Sequence, residues 1–126
     1  MDLTRLRSIL FSAAREVGGR VTDIVEPGVT PNFVAVRLEL PVGHCWVLRS
    51  HAGDVAFAAA IEPALAPLRF VDCPALADAL ERVGGLQPLG VVRLEEPFAG
   101  QAVIADADLR IWKPQRLGDA LFNWWD

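Results

Sequence analysis

The residues best suited to chemistry lie close together in the middle of the chain. They are two histidines, two cysteines and an aspartate: His44, Cys45, His51, Asp54 and Cys73. Thiolate and imidazole groups are common zinc ligands, so a metal site is the first possibility. The spacing opposes it, because adjacent strand residues point to opposite faces and Cys45 and His51 would be roughly 20 Å apart along a strand. The chain also has no C-x-x-C or H-x-x-x-H pair, so we expect no metal site and no cofactor.

Nucleophilic catalysis is the second possibility, with Cys45 as the nucleophile and a histidine as its base. Free cysteine is among the most buried residue types, and an alternating strand is an ordinary place for it. We therefore interpret Cys45 and Cys73 as packed thiols. An alternative kept open is a small-molecule or small-enzyme pocket formed by the polar and aromatic residues of this region: His44, Cys45, Trp46, Arg49 and His51.

Other chemical motifs are weakly represented. Asp106 and Asp108 would share a face of an extended segment and could hold a hard cation. A calcium loop needs more oxygen ligands at regular spacing, so we expect Asp106 to cap a helix instead. The glycines form no dinucleotide-binding, phosphate-binding or serine-hydrolase motif. The sequence therefore favours a function other than catalysis.

The C-terminal segment is the second unusual feature, because three of the four tryptophans lie between Ile111 and Asp126. Chain ends are usually frayed and polar, so such large apolar side chains have to pack in the core or on a partner. A helix from Pro114 to about Trp125 would place an apolar stripe on one side. Gly118 would then allow close packing against a strand.

Two adjacent tryptophans cannot both point inward from one helix face, so one of them is expected to face solvent. Tryptophan is enriched at the energetic centres of protein interfaces. We therefore predict that this end of the chain binds another protein or a second copy of itself. The candidate binding residues are Trp112, Arg116, Trp124 and Trp125.

The elements that position these residues follow from hydrophobic periodicity. Helices are predicted at 3–17, with Asp2 as its N-cap, from Asp72 or Pro74 to Val83, with Gly84 and Gly85 ending it, and at 114–125. Strands are predicted at 20–26, 32–40, 44–50, 55–61, 68–72 and 89–95. Residues 102–112 fit either a strand or a short helix. Short loops between consecutive strands require antiparallel pairing. The expected fold is α+β: an antiparallel meander sheet of four to six strands, with the N-terminal, middle and C-terminal helices mainly on one face.

Bulk properties restrict the function further. A chain of 126 residues is expected to form one domain, 1–126. A net charge of −4 and scattered arginines oppose nucleic-acid binding. No apolar run is long enough for a membrane span and no secretory signal is visible, so we expect a cytoplasmic protein with reduced thiols. Eleven arginines against one lysine suggest a GC-rich bacterial genome.

These observations lead to a functional hypothesis. We predict a small cytoplasmic bacterial protein that is not an enzyme and that binds another protein, in the manner of an immunity protein or an accessory factor. A homodimer through the C-terminal segment is a further possibility, and the pocket near His44, Cys45, Trp46 and Arg49 is the alternative.

Overall fold

The fold contains five helices and one sheet, described for residues 2–125 in a computed structural model. Five strands come first along the chain after one helix, and four helices follow them. The elements are α1 (Leu3–Glu16), β1 (Arg20–Val25), β2 (Phe33–Glu39), β3 (His44–Ser50), β4 (Val55–Ala58), β5 (Phe70–Val71), α2 (Pro74–Gly84), α3 (Val91–Leu94), α4 (Asp106–Trp112) and α5 (Leu117–Leu121). The predicted α+β class is confirmed.

The sheet is an antiparallel meander in which the strands are paired in chain order, from β1 to β5. The central strands are the longest, and Val36 of β2 lies opposite Val47 of β3. A register shift between Val21 and Asp23 interrupts the edge strand β1. The short loops predicted this pairing correctly, because a loop of a few residues cannot carry the chain across to a parallel position.

Alternation along the central strands creates two apolar cores, one on each face of the sheet. The α1–α2 core lies between those two helices and the sheet and includes Leu6, Leu10, Val36, Leu38, Cys45, Val47, Phe57, Leu76 and Leu80. The C-terminal core lies on the other face and includes Phe33, Ala35, Leu48, Ala56, Ala58, Leu68, Phe70, Leu94 and Phe122. Successive residues of one strand thus belong to different cores.

The two long helices have the local signals that the sequence predicted. The Asp2 carboxylate accepts a hydrogen bond from the Arg5 backbone N–H at 2.8 Å, which caps α1. At the C-terminal end of α2, Gly85 has a φ of 67°, the left-handed conformation that glycine adopts most easily. Both helices lie on the same face of the sheet, as expected, where the last residue of α2, Gly84, lies against Ile9 of α1.

The position of the C-terminal helices corrects the expectation of a single helical face. The apolar residues of α3 and α5 belong to the C-terminal core, on the face opposite α1 and α2. The reason is visible in β4, where Ala56 and Ala58 are fully buried and leave room for a close neighbour on that face.

The strand predicted at 89–95 is wrong. Only Leu89 has a strand-like contact, a single parallel bridge to Ala56, and the chain then forms the short helix α3. The carboxylate of Asp72 accepts a hydrogen bond from the first backbone N–H of that helix, at Val91. Short apolar runs do not distinguish a strand from a buried helical turn, and the contact with Asp72 is distant in sequence.

The long helix predicted at 114–125 is also wrong, because α5 contains only five residues. The segment at 102–112 resolves as a helix, α4, in which Asp106 is the first residue and Ala105 the N-cap, so Asp106 does not cap it. Lys113 then adopts a left-handed conformation, with φ of 46°, and separates α4 from α5. At Phe122 the backbone becomes extended and the helix ends.

None of the helices within residues 2–125 combines the length and the apolar character that a membrane crossing requires.

Candidate functional site

The last residues of the chain are fixed to the start of β2 by a set of hydrogen bonds around Asn32. The Asn32 backbone N–H donates to the Asn123 carbonyl at 2.9 Å. Its side chain accepts from the Asn123 backbone N–H at 2.9 Å and donates to the Leu121 carbonyl at 3.0 Å. Because Asn123 is buried, these bonds satisfy backbone groups that water cannot reach.

Two aromatic side chains of the C-terminal segment complete the C-terminal core. Phe122 is buried and its ring lies 6.2 Å from that of Phe33. Trp124 is half-buried and meets the same Phe33 ring edge-on, with 5.2 Å between the centroids and an interplanar angle of 82°. Trp124, one of the candidate binding residues, therefore packs against the C-terminal core.

Trp125 points the other way and stacks on Trp112. The two rings are nearly parallel, with an angle of 6° and a centroid separation of 6.1 Å. Both side chains are half-buried, as that of Trp124 is. We call this pair the tryptophan platform. Unlike Phe122 and Trp124, these two side chains do not pack in the C-terminal core.

A groove lies on each side of Trp125. The first has a volume of about 280 Å³ and extends past Trp112 and Trp124 to the loop at 65–68. The second has a volume of about 270 Å³ and lies between Trp125, Asn32 and the start of α4, where it is lined by Val103 and Asp108. The tryptophan platform therefore separates two open depressions.

Exposed apolar side chains lie in the two grooves beside Trp125 and on helix α4. Leu65 is 69% exposed, Ile111 is 68% exposed and Val103 is fully exposed. Helix α4, which carries Ile111 and Trp112, has no buried residue. A seven-residue helix with so little packing gains little stability from the rest of the protein, and its apolar side chains are available to a partner.

Arg116, predicted to bind a partner, is instead engaged within the protein. Its guanidinium donates to Asp119, to Glu95 at 2.8 Å and to the Leu68 carbonyl at 3.0 Å, and it lies over the ring of Phe70. These contacts, above all the hydrogen bond to Asp119, raise the pKa of the arginine above its usual value. Arg116 thus ties the start of α5 to Glu95 and to the loop at Leu68.

The residues of the alternative pocket are distributed over both faces of the sheet. Cys45 points into the α1–α2 core, whereas Trp46 packs at the C-terminal core. The exposed His44 ring donates to the Ala59 carbonyl at 3.2 Å. Arg49 shares the face of Cys45, four residues away, and the exposed His51 lies in the following turn. The structure does not bring these five side chains together around one cavity.

The two cysteines do meet. Cys73 packs against the α1–α2 core that contains Cys45, and the interaction between the two thiols is the largest influence on the pKa of each. The contact raises the pKa of the buried Cys45, and it lowers the pKa of Cys73 to about 7. Across residues 2–125, no three His, Cys, Asp or Glu side chains are grouped as a metal site would require.

Sequence reasoning missed several residues of the site around the tryptophan platform. Asn32, Leu65 and Val103 each lie far from the terminal tryptophans along the chain, and their contacts depend on how the loops return to the C-terminal core. No periodicity or motif marks them. The only sequence signal for this site was the concentration of tryptophan itself.

Comparison with protein-family models, with curated proteins and with solved structures gives no significant match to this chain.

Proposed function

We propose that this protein binds another protein through the tryptophan platform and its two grooves. The observation that carries the proposal is the stacked pair of Trp112 and Trp125, which lines a groove outside the C-terminal core. The neighbouring Phe122 and Trp124 fill the C-terminal core, whereas this pair stands between two depressions. Aromatic anchors beside open pockets are typical of the energetic centre of a protein interface.

The surroundings support a partner with apolar side chains. The rim residues Leu65, Val103 and Ile111 are the largest apolar groups exposed near the tryptophan platform. Exposed apolar side chains beside open grooves are typical of surfaces that bind other proteins. The half-buried Asp108 in the second groove would favour an N–H or cationic group next to the apolar contact.

The proposal extends to the kind of protein. We propose a cytoplasmic bacterial protein of the immunity or accessory type, which acts by occupying or positioning its partner. The partner can be a different protein or a second copy of this chain. An acidic net charge of −4 suits a protein partner better than a nucleic acid.

The test compares Trp125→Ala with the wild type as bait in extracts of the source cells. We expect at least one protein to be captured by the wild type and lost by the variant. Once that protein is purified, calorimetry should give a dissociation constant at least about tenfold weaker for Trp125→Ala, because truncating an interface tryptophan typically costs more than 1.4 kcal/mol. Sedimentation of the wild type alone tests the second-copy case.

The matched control is Phe11→Ala, which removes a half-exposed aromatic side chain from the opposite side of the sheet. It should bind as the wild type does. The proposal is wrong if Trp125→Ala binds the captured protein as tightly as the wild type does and the wild type alone sediments as a monomer. Melting temperatures of both variants show whether any loss of binding follows from unfolding.

A further inference from the structure

The paired cysteines form a second chemical feature that the proposed protein-binding surface does not use. Cys45 is 1% exposed and lies on β3 among the apolar residues of the α1–α2 core. Cys73 is half-buried, immediately precedes α2 and packs against that core from its edge. The pair therefore consists of one thiol shielded from solvent and one thiol that solvent can reach.

Cys73 opens onto a groove of about 310 Å³. The groove is formed by the end of α1 at Val17, by the turn of Leu40, Pro41 and Val42, and by the first residues of α2. Since that turn leads directly into His44 and Cys45, the groove wall and the buried thiol belong to the same stretch of chain. A molecule as small as water or peroxide can reach the Cys73 sulfur through this opening.

Two features of the fold favour the thiolate form of Cys73. The residue is the N-cap of α2, an 11-residue helix whose N-terminus carries partial positive charge. The adjacent Cys45 thiol is the largest influence on its pKa and lowers it to about 7. Burial and the neighbouring Asp72 carboxylate, which accepts a hydrogen bond from the Val91 N–H, oppose this shift without reversing it. At neutral pH, Cys73 has roughly tenfold more thiolate than an ordinary cysteine.

We propose that Cys73 is a site of oxidation by hydrogen peroxide and that Cys45 is its resolving thiol. In the first step the Cys73 thiolate attacks a peroxide oxygen, the O–O bond breaks, and water leaves after protonation while Cys73 becomes a sulfenic acid. In the second step the Cys45 sulfur attacks the Cys73 sulfur, the S–O bond breaks, and the hydroxyl leaves as water with the Cys45 proton. One peroxide is reduced to two waters and the two thiols become one disulfide.

The positions of the two thiols require that Cys73 is oxidised first and that Cys45 then resolves it. Cys73 faces the groove and meets the oxidant first, whereas Cys45 is surrounded by Leu38, Val47 and other apolar neighbours of the α1–α2 core. Since Cys45 already lies against Cys73, it can attack the sulfenic acid before a second peroxide does. A reductant such as a dithiol reverses the reaction by thiol–disulfide exchange.

The experiment exposes the folded wild-type protein to hydrogen peroxide at neutral pH and then blocks free thiols with N-ethylmaleimide. We expect both thiols to be lost together, a mass lower by two hydrogen atoms, a monomer on a non-reducing gel and full recovery with dithiothreitol. The proposal is overturned if both thiols remain free under conditions that oxidise glutathione in the same tube. It is also overturned if the wild type accumulates oxidised Cys73 without the disulfide.

Two variants test the order of the steps. In Cys45→Ser, dimedone should trap a sulfenic acid on Cys73, whereas in Cys73→Ser the remaining Cys45 should stay reduced. Oxidation of Cys45 in Cys73→Ser at the wild-type rate contradicts the assigned order. A measurement that needs no variant is the rate of iodoacetamide labelling of the wild type against pH. Labelling of Cys73 should be half-maximal near pH 7, and a midpoint near the ordinary value of about 8.5 would contradict the thiolate assignment.

Discussion

At the scale of single residues, the structure separates side chains that hold the C-terminal segment from those that it presents to solvent. Arg116 and Trp124 belong to the first kind, since one is engaged by Asp119 and Glu95 and the other packs on Phe33. Trp112 and Trp125 belong to the second kind, because they stack on each other outside the C-terminal core and line a groove. The sequence placed all four in one candidate site, because residue type alone does not show which side chains find partners within the fold.

Local signals at this scale were predicted well. The capping role of Asp2, the end of α2 at Gly85 and the close approach at Gly118 each depend on a few neighbouring residues. The contact of Cys45 with Cys73 and the role of Asn32 were not predicted. They join parts of the chain that are far apart in sequence, and no local pattern records such contacts.

Gly118 provides a prediction in which two effects have opposite signs. It lies inside α5, where alanine would normally stabilise a helix by about 1 kcal/mol. A Cβ atom at this position would overlap the ring of Phe70, which is itself held between Phe122 and the guanidinium of Arg116. We expect overpacking to dominate, so that Gly118→Ala lowers the free energy of unfolding by about 1–3 kcal/mol in urea denaturation.

The control for this substitution is Gly28→Ala, since a Cβ atom at Gly28 has no neighbour within 4 Å. It should leave the stability unchanged or slightly raised. A Gly118→Ala variant as stable as the wild type would mean that the Phe70 ring moves aside without cost.

At the scale of elements, the ends of helices and strands were predicted less well than their existence. The sheet order follows from short loops and period-two alternation, which are local. The end of α5 does not, because residues 117–125 have an acceptable helical pattern. Tertiary hydrogen bonds from Asn32 to Leu121 and Asn123 outweigh it and draw the chain into an extended conformation. Propensity is a weak influence when buried backbone groups have better partners elsewhere.

Asn32→Ala tests whether these hydrogen bonds determine the course of the C-terminal segment. The substitution leaves the Asn123 backbone N–H without its acceptor and the Leu121 carbonyl without its donor. Leaving buried polar groups unsatisfied costs about 1–3 kcal/mol each. We expect a loss of stability of at least about 2 kcal/mol and faster hydrogen exchange of the Asn123 amide.

Gln115→Ala is the matched control, because Gln115 is an exposed amide side chain with a local hydrogen bond to the Lys113 carbonyl. It should change the stability by no more than about 0.5 kcal/mol. If Asn32→Ala resembles this control, the extended end of the chain is determined by the packing of Phe122 and Trp124 instead.

At the scale of the whole molecule, the two cores share a single sheet. Val47 of β3 faces the α1–α2 core while the adjacent Leu48 faces the C-terminal core, and both are almost fully buried. If either core loses its packing, the strands that both cores share lose the contacts on one of their two faces. This arrangement predicts that residues 2–125 unfold as one cooperative unit, although the helices on the two faces are far apart in sequence.

The distribution of residues between the faces allows this prediction to be tested with two optical signals. All four tryptophans lie on the side of the C-terminal core or at the tryptophan platform. By contrast, α1 and α2, with 14 and 11 residues, hold most of the helical residues and lie on the other side. Tryptophan fluorescence therefore reports one face, and the helical signal in far-ultraviolet circular dichroism mainly reports the other.

We expect both signals to give the same midpoint in urea, and to move together in two variants that each damage one core. Leu10→Ala removes a fully buried side chain from the α1–α2 core, and Phe122→Ala removes one from the C-terminal core. Large-to-small substitutions of this kind cost about 2–5 kcal/mol. Because the sheet is shared, Leu10→Ala should lower the fluorescence midpoint as much as the dichroism midpoint, and Phe122→Ala should do the same. If the two signals had separate midpoints, the C-terminal segment would detach before the sheet unfolds. Binding by Trp125→Ala and by the wild type would then have to be compared under conditions in which that segment is still folded.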